Sequence, residues 1–128
     1  MMKSTKILVY DSQHYFANFL KYKFGKNFDF AILKKNKKNE EFNLVEKDFC
    51  FVFFVFYSDM DLYDFMQLYV KHIPIVVASD QIEVLKKMSR LNNVFVLDIS
   101  LKKNEIATNI KNLIYNEFLA DRKCDSTF

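Results

Sequence analysis

Four places in this chain put polar residues directly after a short apolar run, and these are where chemistry could reside. Asp11 and Ser12 follow residues 6–10, Ser58 to Asp61 follow residues 49–57, Ser79 follows residues 73–78, and Asp98 follows residues 94–97. Carboxylates and hydroxyls converging from separate segments suit a hard cation, which Asp11 and Asp98 could bridge through waters. Against that stands a plainer role: Asp11 and Ser12 are good helix N-caps, and Asp98 is an ordinary loop residue. Other catalytic patterns are missing from the sequence. Gly25 is the only glycine, so neither a P-loop nor a dinucleotide fingerprint can be written. His14 and His72 neighbour no nucleophile in sequence. The two cysteines, Cys50 in an apolar run and Cys124 in a polar tail, lack metal-ligand spacing and suit a reducing compartment without a structural disulfide.

Those positions gain meaning only if the intervening segments bring them to one edge. Residues 6–10 read as a strand ending in a tight turn at Asp11 and Ser12, which announce a helix. Phe16, Phe19, Leu20 and Phe24 then recur at helical spacing, and Gly25 sits where a helix end favours positive φ. Residues 28–33 form a second strand, 34–41 a charged connection, and 42–47 a weakly periodic stretch with room for one or two helical turns. The run 49–57 has no alternation, as a central parallel strand buried on both faces requires. Asp59 or Asp61 can cap a helix with Leu62, Phe65, Met66, Tyr69 and Val70 along one face. Residues 73–78 make a fourth strand with Pro74 at its start, where a missing N–H does least harm. Ser79 and Asp80 open a helix running to about Asn92, residues 94–97 are a fifth strand, and Ile106, Ile110, Leu113, Ile114 and Phe118 stripe the last helix. Five such alternations predict an α/β fold with three layers: a doubly wound, five-stranded parallel sheet of order 2-1-3-4-5, flavodoxin-like, in one domain over residues 1–119 with a tail at 120–128. In such a sheet the strand C-termini beside the switch point form the natural site. That edge carries Asp11, Ser12, Phe54 to Ser58, Ser79 and Asp98.

With these residues in this order, the chain resembles the receiver domains of response regulators from Lys6 to about Leu119. The run Val52-Phe53-Phe54-Val55-Phe56-Tyr57-Ser58-Asp59-Met60-Asp61 resembles the receiver's third strand and the loop that ends in Met-Asp-Gly. Ile73-Pro74-Ile75-Val76-Val77-Ala78-Ser79 matches the family's Ile-Pro strand followed by a hydroxyl. The resemblance implies an acidic pair for magnesium after the first strand, where this chain has Asp11 and Ser12. It implies a phosphate-accepting aspartate where Phe54 stands, with Phe53 or Phe56 the alternatives should the register slip, and a lysine where Asp98 stands. Phe95 falls where receivers carry a switch aromatic, and it equally suits simple filling of an aromatic-rich strand. Phosphoryl transfer needs an oxygen nucleophile and cations around the transferred group. The pocket implied here lacks the nucleophile and exchanges a cation for a carboxylate.

The expectation is therefore a stand-alone, phosphorylation-independent pseudo-receiver, not an enzyme, that needs no cofactor or metal and works by binding another protein, either a signalling partner or a second copy. The family's partner face implies Lys86, Arg90, Lys103, Lys111 and Tyr115 as outward residues, although ordinary helix solubility explains them equally well. The alternative is a small-ligand sensor using an aromatic pocket around Phe54 and Phe56. A net charge of +3 spread along 128 residues is too diffuse for a nucleic-acid surface. The longest apolar run has nine residues, about half of the ~20 that a spanning helix requires. A polar start leading into a strand argues against a signal peptide, which makes the cytoplasm the expected location. Fifteen Phe and no Trp are assigned to the core.

Overall fold

The computed structural model describes residues 5–33 and 49–119. The weakly periodic stretch at 42–47 and the tail at 120–128 lie outside these. Five parallel strands, β1 (Thr5–Tyr10), β2 (Phe28–Ile32), β3 (Phe49–Val55), β4 (Ile75–Ser79) and β5 (Val94–Asp98), form one sheet in the order β2-β1-β3-β4-β5. Helices α1 (Tyr15–Phe24), α2 (Asp61–Tyr69), α3 (Ile82–Met88) and α4 (Lys103–Leu113) connect or follow them, and α4 continues as a π-helical turn over Ile114–Leu119. This is the α/β doubly wound sheet the alternation predicts, with a flavodoxin-like strand order. No helix among the described residues is long and apolar enough to cross a membrane.

The sheet separates two cores because successive strand residues point to opposite faces. On one face Val9, Phe51, Phe53, Val55, Val76 and Leu97 pack with Phe16, Ala17 and Leu20 of α1 and with Ile106, Ile110, Ile114 and Phe118. On the other, Leu8, Tyr10, Val52, Phe54, Phe56 and Val77 pack with Phe65 and Leu68 of α2 and Met88 of α3. Six of the seven β3 residues are buried, which explains its unbroken apolar sequence. The π turn keeps Ile114 and Phe118 inside. Phe118 stacks on Phe51 with centroids 4.1 Å apart and meets Phe95 edge-on at 5.2 Å.

Several local expectations change. Gly25 has φ −62° and stays in the right-handed region, so it is not a left-handed terminator. A Cβ there would lie 2.3 Å from the Lys21 carbonyl oxygen, so close backbone approach, not positive φ, favours glycine. The inward face of α2 is Asp61, Asp64, Phe65 and Leu68, while Leu62, Met66 and Val70 face outward. Apolar spacing misled because two carboxylates occupy the buried stripe. Helix α3 ends at Met88, short of Asn92. Cys50 is one half of a disulfide, against the expectation of thiols. The chain's only other cysteine, Cys124, lies outside the described residues.

Candidate functional site

The C-terminal edge of the sheet gathers Asp11, Tyr57, Ser58, Asp61, Ser79, Gln81 and Asp98. Their hydrogen bonds join the loops after β1, β3 and β4. Asp11 is 3% exposed. Its Oδ2 accepts the Ala17 amide at 2.9 Å, and its Oδ1 accepts the Gln13 amide at 3.2 Å and the Tyr57 hydroxyl at 2.5 Å. The residue thus does serve α1, but from outside it. The helix itself begins at Tyr15, after His14 in a left-handed conformation (φ 67°), because the carboxylate reaches forward across the turn. Ser12 is exposed.

Tyr57 is the residue that the sequence does not single out. It leaves β3, crosses to Asp11 and presents its carbonyl to the Gln81 side-chain amide at 3.2 Å. Burial first, then the hydrogen bond to Asp11, push its phenol well above the ordinary tyrosine range. The neutral hydroxyl is therefore held as a donor. Behind it, the Asp61 Oδ2 accepts the amides of Tyr57 at 2.8 Å and Ser58 at 3.1 Å. Asp61, the first residue of α2, thus reaches back to the turn before the helix as the acidic residue of a capping box does, and Ser58-Asp59-Met60-Asp61 carries the Ser-x-x-Asp signature.

One layer deeper, the Tyr10 hydroxyl donates to Asp64 Oδ2 at 2.5 Å. Burial, followed by that bond, raises the Tyr10 phenol in the same way. Nothing in the local sequence around Asp64 announces this pairing, since its partner lies 54 residues away.

Phe54 is fully buried, facing Tyr10 across β1 and Val77 across β4. Its ring stacks on Tyr10 at 4.4 Å and 6°, meets Phe65 edge-on at 5.6 Å and leans on Phe56 at 5.4 Å. The aromatic group around Phe54 and Phe56 therefore fills its own space, and a ligand there would have to displace it. Ser79 is fully buried and its Oγ accepts the Gln81 amide at 3.0 Å. Asp98 faces Ser79 in the strand register, yet its Oδ1 accepts the amide and hydroxyl of Ser100 at 2.9 and 2.6 Å. Asp11 and Asp98 are each tied to their own neighbourhoods, and no three metal-ligating side chains converge among the described residues.

Phe95 is half-buried and turned onto Phe118. Lys86, Arg90, Lys103 and Lys111 are exposed. Tyr115 is 37% exposed, but its ring lies 6.5 Å from Phe28 on β2. It therefore leans toward the opposite sheet edge from the one that α3 and β5 occupy.

The chain matches no family model, no curated protein and no solved structure.

Proposed function

We propose that this chain is a phosphorylation-independent, receiver-like module that acts by binding another protein within signalling. The observation that carries the reading is the closed state of the sheet's C-terminal edge. Asp11, the one acid left at the receiver-like magnesium position, has both carboxylate oxygens engaged by Tyr57, Gln13 and Ala17, and Phe54 lies inside the core. An acyl-phosphate site would need an accessible carboxylate and nearby cations. Here the loops hold one another instead, which leaves the outer helix faces as the working surface. The exposed cations Lys86, Arg90, Lys103 and Lys111 are candidates for an acidic partner. Intact-mass spectrometry after incubation with acetyl phosphate and magnesium tests the central claim. No mass gain is expected. A magnesium-dependent phosphate on Asp59 or Asp61 overturns it.

One observation favours ligand sensing as a second reading. A cavity of about 410 Å³ at the far end of the sheet is lined by Tyr69, Val70, His72, Ile73, Asn92 and Asn93. His72 and Asn93 both hold left-handed backbone, at φ 63° and 64°, and local strain of that kind collects at binding sites. Chemical-shift changes confined to these residues on addition of small planar compounds would support this reading over the first.

A further inference from the structure

Cys50 is disulfide-bonded, and Cys124 is the only other cysteine of the chain, so the bond closes within one chain. Cys50 is 6% exposed and belongs to the core cluster that holds Phe51, Ile110, Ile114 and Phe118. Phe118 stacks on Phe51, the neighbour of Cys50 in β3, with centroids 4.1 Å apart. The π-helical turn Ile114–Leu119 therefore packs beside the strand residue that carries the bond. Cys124 follows Leu119 by five positions, a reach of at most about 18 Å. The two ends of the covalent link are thus the central strand and the segment that directly follows this turn.

The turn has little else to hold it. A π turn is a rare form, found mostly as single turns and frequently at functional sites. Ile114 and Phe118 are its buried side chains, while Tyr115 and Asn116 are exposed. A segment with so few buried contacts opens locally at much lower cost than a core strand. We propose that the Cys50–Cys124 disulfide is a redox latch that sets whether the turn Ile114–Leu119 stays docked on β3. A dithiol reductant opens it. One thiolate of the reductant bonds to the Cys124 sulfur as the S–S bond breaks, and the electron pair leaves on the Cys50 sulfur, which takes up a proton. The second thiol of the reductant then displaces the Cys124 sulfur, which is protonated in turn, as the reductant closes into its own disulfide. Burial of Cys50 directs the attack to Cys124, because exchange requires access to the sulfur attacked. In a reducing compartment the latch stands open and closes on oxidation. The inference does not rest on the receiver-like reading and stands or falls separately from it.

The full chain, prepared without reductant, unfolded and treated with iodoacetamide, should take up no label, and after dithiothreitol it should take up two. Amide NMR of the folded protein then reads the latch. On reduction the amides of Ile114 to Leu119 should shift and their order parameters fall below about 0.6, while β1, α1 and α2 keep the rigid-backbone value near 0.85. Oxidised glutathione should restore the starting spectrum. Cys124→Ser, checked for folding by circular dichroism, should show the released turn with or without reductant. Two labelled thiols that oxidised glutathione does not join overturn the proposal, as does a disulfide that links two chains. A turn that stays ordered after reduction also overturns it, and so does a chain that unfolds as a whole, since the bond is then a general staple.

Discussion

Replacing Phe54 by aspartate inserts the residue that the proposed receiver-like reading calls for at this position, and the structure gives the cost. The ring is fully buried and makes three aromatic contacts, the closest a stack on Tyr10 at 4.4 Å. Removing a large buried aromatic costs about 3–5 kcal/mol, of which aromatic pairing accounts for roughly 0.5–1.5 kcal/mol per contact. Against a typical domain stability of about 5–15 kcal/mol, roughly a fifth or more of the total is lost. The new carboxyl adds a pH-dependent part, because an apolar site disfavours its charged form and raises its pKa. A folded-state pKa above the unfolded value near 3.9 means that stability is greatest below that value and falls as pH rises through the raised one. Urea unfolding of Phe54→Asp and Phe54→Ala between about pH 4 and pH 8 should therefore show a constant deficit for alanine and a growing one for aspartate. Phe54→Asp alone should also stay unphosphorylated, because Ser12 and Asp98 stand where a second acid and a lysine would be needed, and phosphate incorporation measured on it alone and with Ser12→Asp and Asp98→Lys checks this. A single mutant within about 1 kcal/mol of the parent would refute the reasoning, because the ring could then not be the enclosed packing element described here.

Tyr57→Phe should cost about 1–3 kcal/mol by leaving a buried Asp11 oxygen short of a donor, and it should loosen the joined loops. Hydrogen exchange at the amides of Ala17, Tyr57 and Ser58 would rise in the variant, and unchanged protection would show that the bond ties nothing together. At high pH, Tyr10 and Tyr57 should keep their protons in the folded chain while the unfolded chain releases them near the ordinary phenol value of about 10. Stability is thus intact below that pH and declines above it. The late phenolate absorbance, rising together with unfolding, should diminish in Tyr10→Phe and Tyr57→Phe.

The alternation of runs made the sheet and its strand order legible, because each strand is apolar enough to be buried and each connection too long for a hairpin. The sequence also placed Asp11, Ser79 and Asp98 at the C-terminal edge of the sheet, which is a matter of topology. It could not show what those side chains do once there. Asp98 turns to Ser100 and Asp11 to Tyr57, choices made by loop geometry that spacing does not encode. The inward face of α2 was misread for a similar reason. Apolar periodicity assigns carboxylates to solvent, whereas Asp64 is drawn inward by a tyrosine from a strand far away in sequence. Asp61 alone left a local trace, in the Ser-x-x-Asp pattern before the helix.

The uninterrupted apolar run of β3 matters before the protein is folded as much as after. Phe49-Cys50-Phe51-Val52-Phe53-Phe54-Val55 has no charge, no proline and no glycine, the composition from which dry interdigitated fibrils are built. Its safety depends on position: β1 covers one side of it and β4 the other, so no edge is offered once all three have met. Those pairings join distant parts of the chain, and non-local parallel pairing forms slowly. During synthesis β3 emerges before β4 exists, with only Glu46, Lys47, Asp48 and Asp59 as flanking charges to discourage its pairing with another chain. The strand that supplies much of the core is thus also the segment that most needs its neighbours to arrive in time.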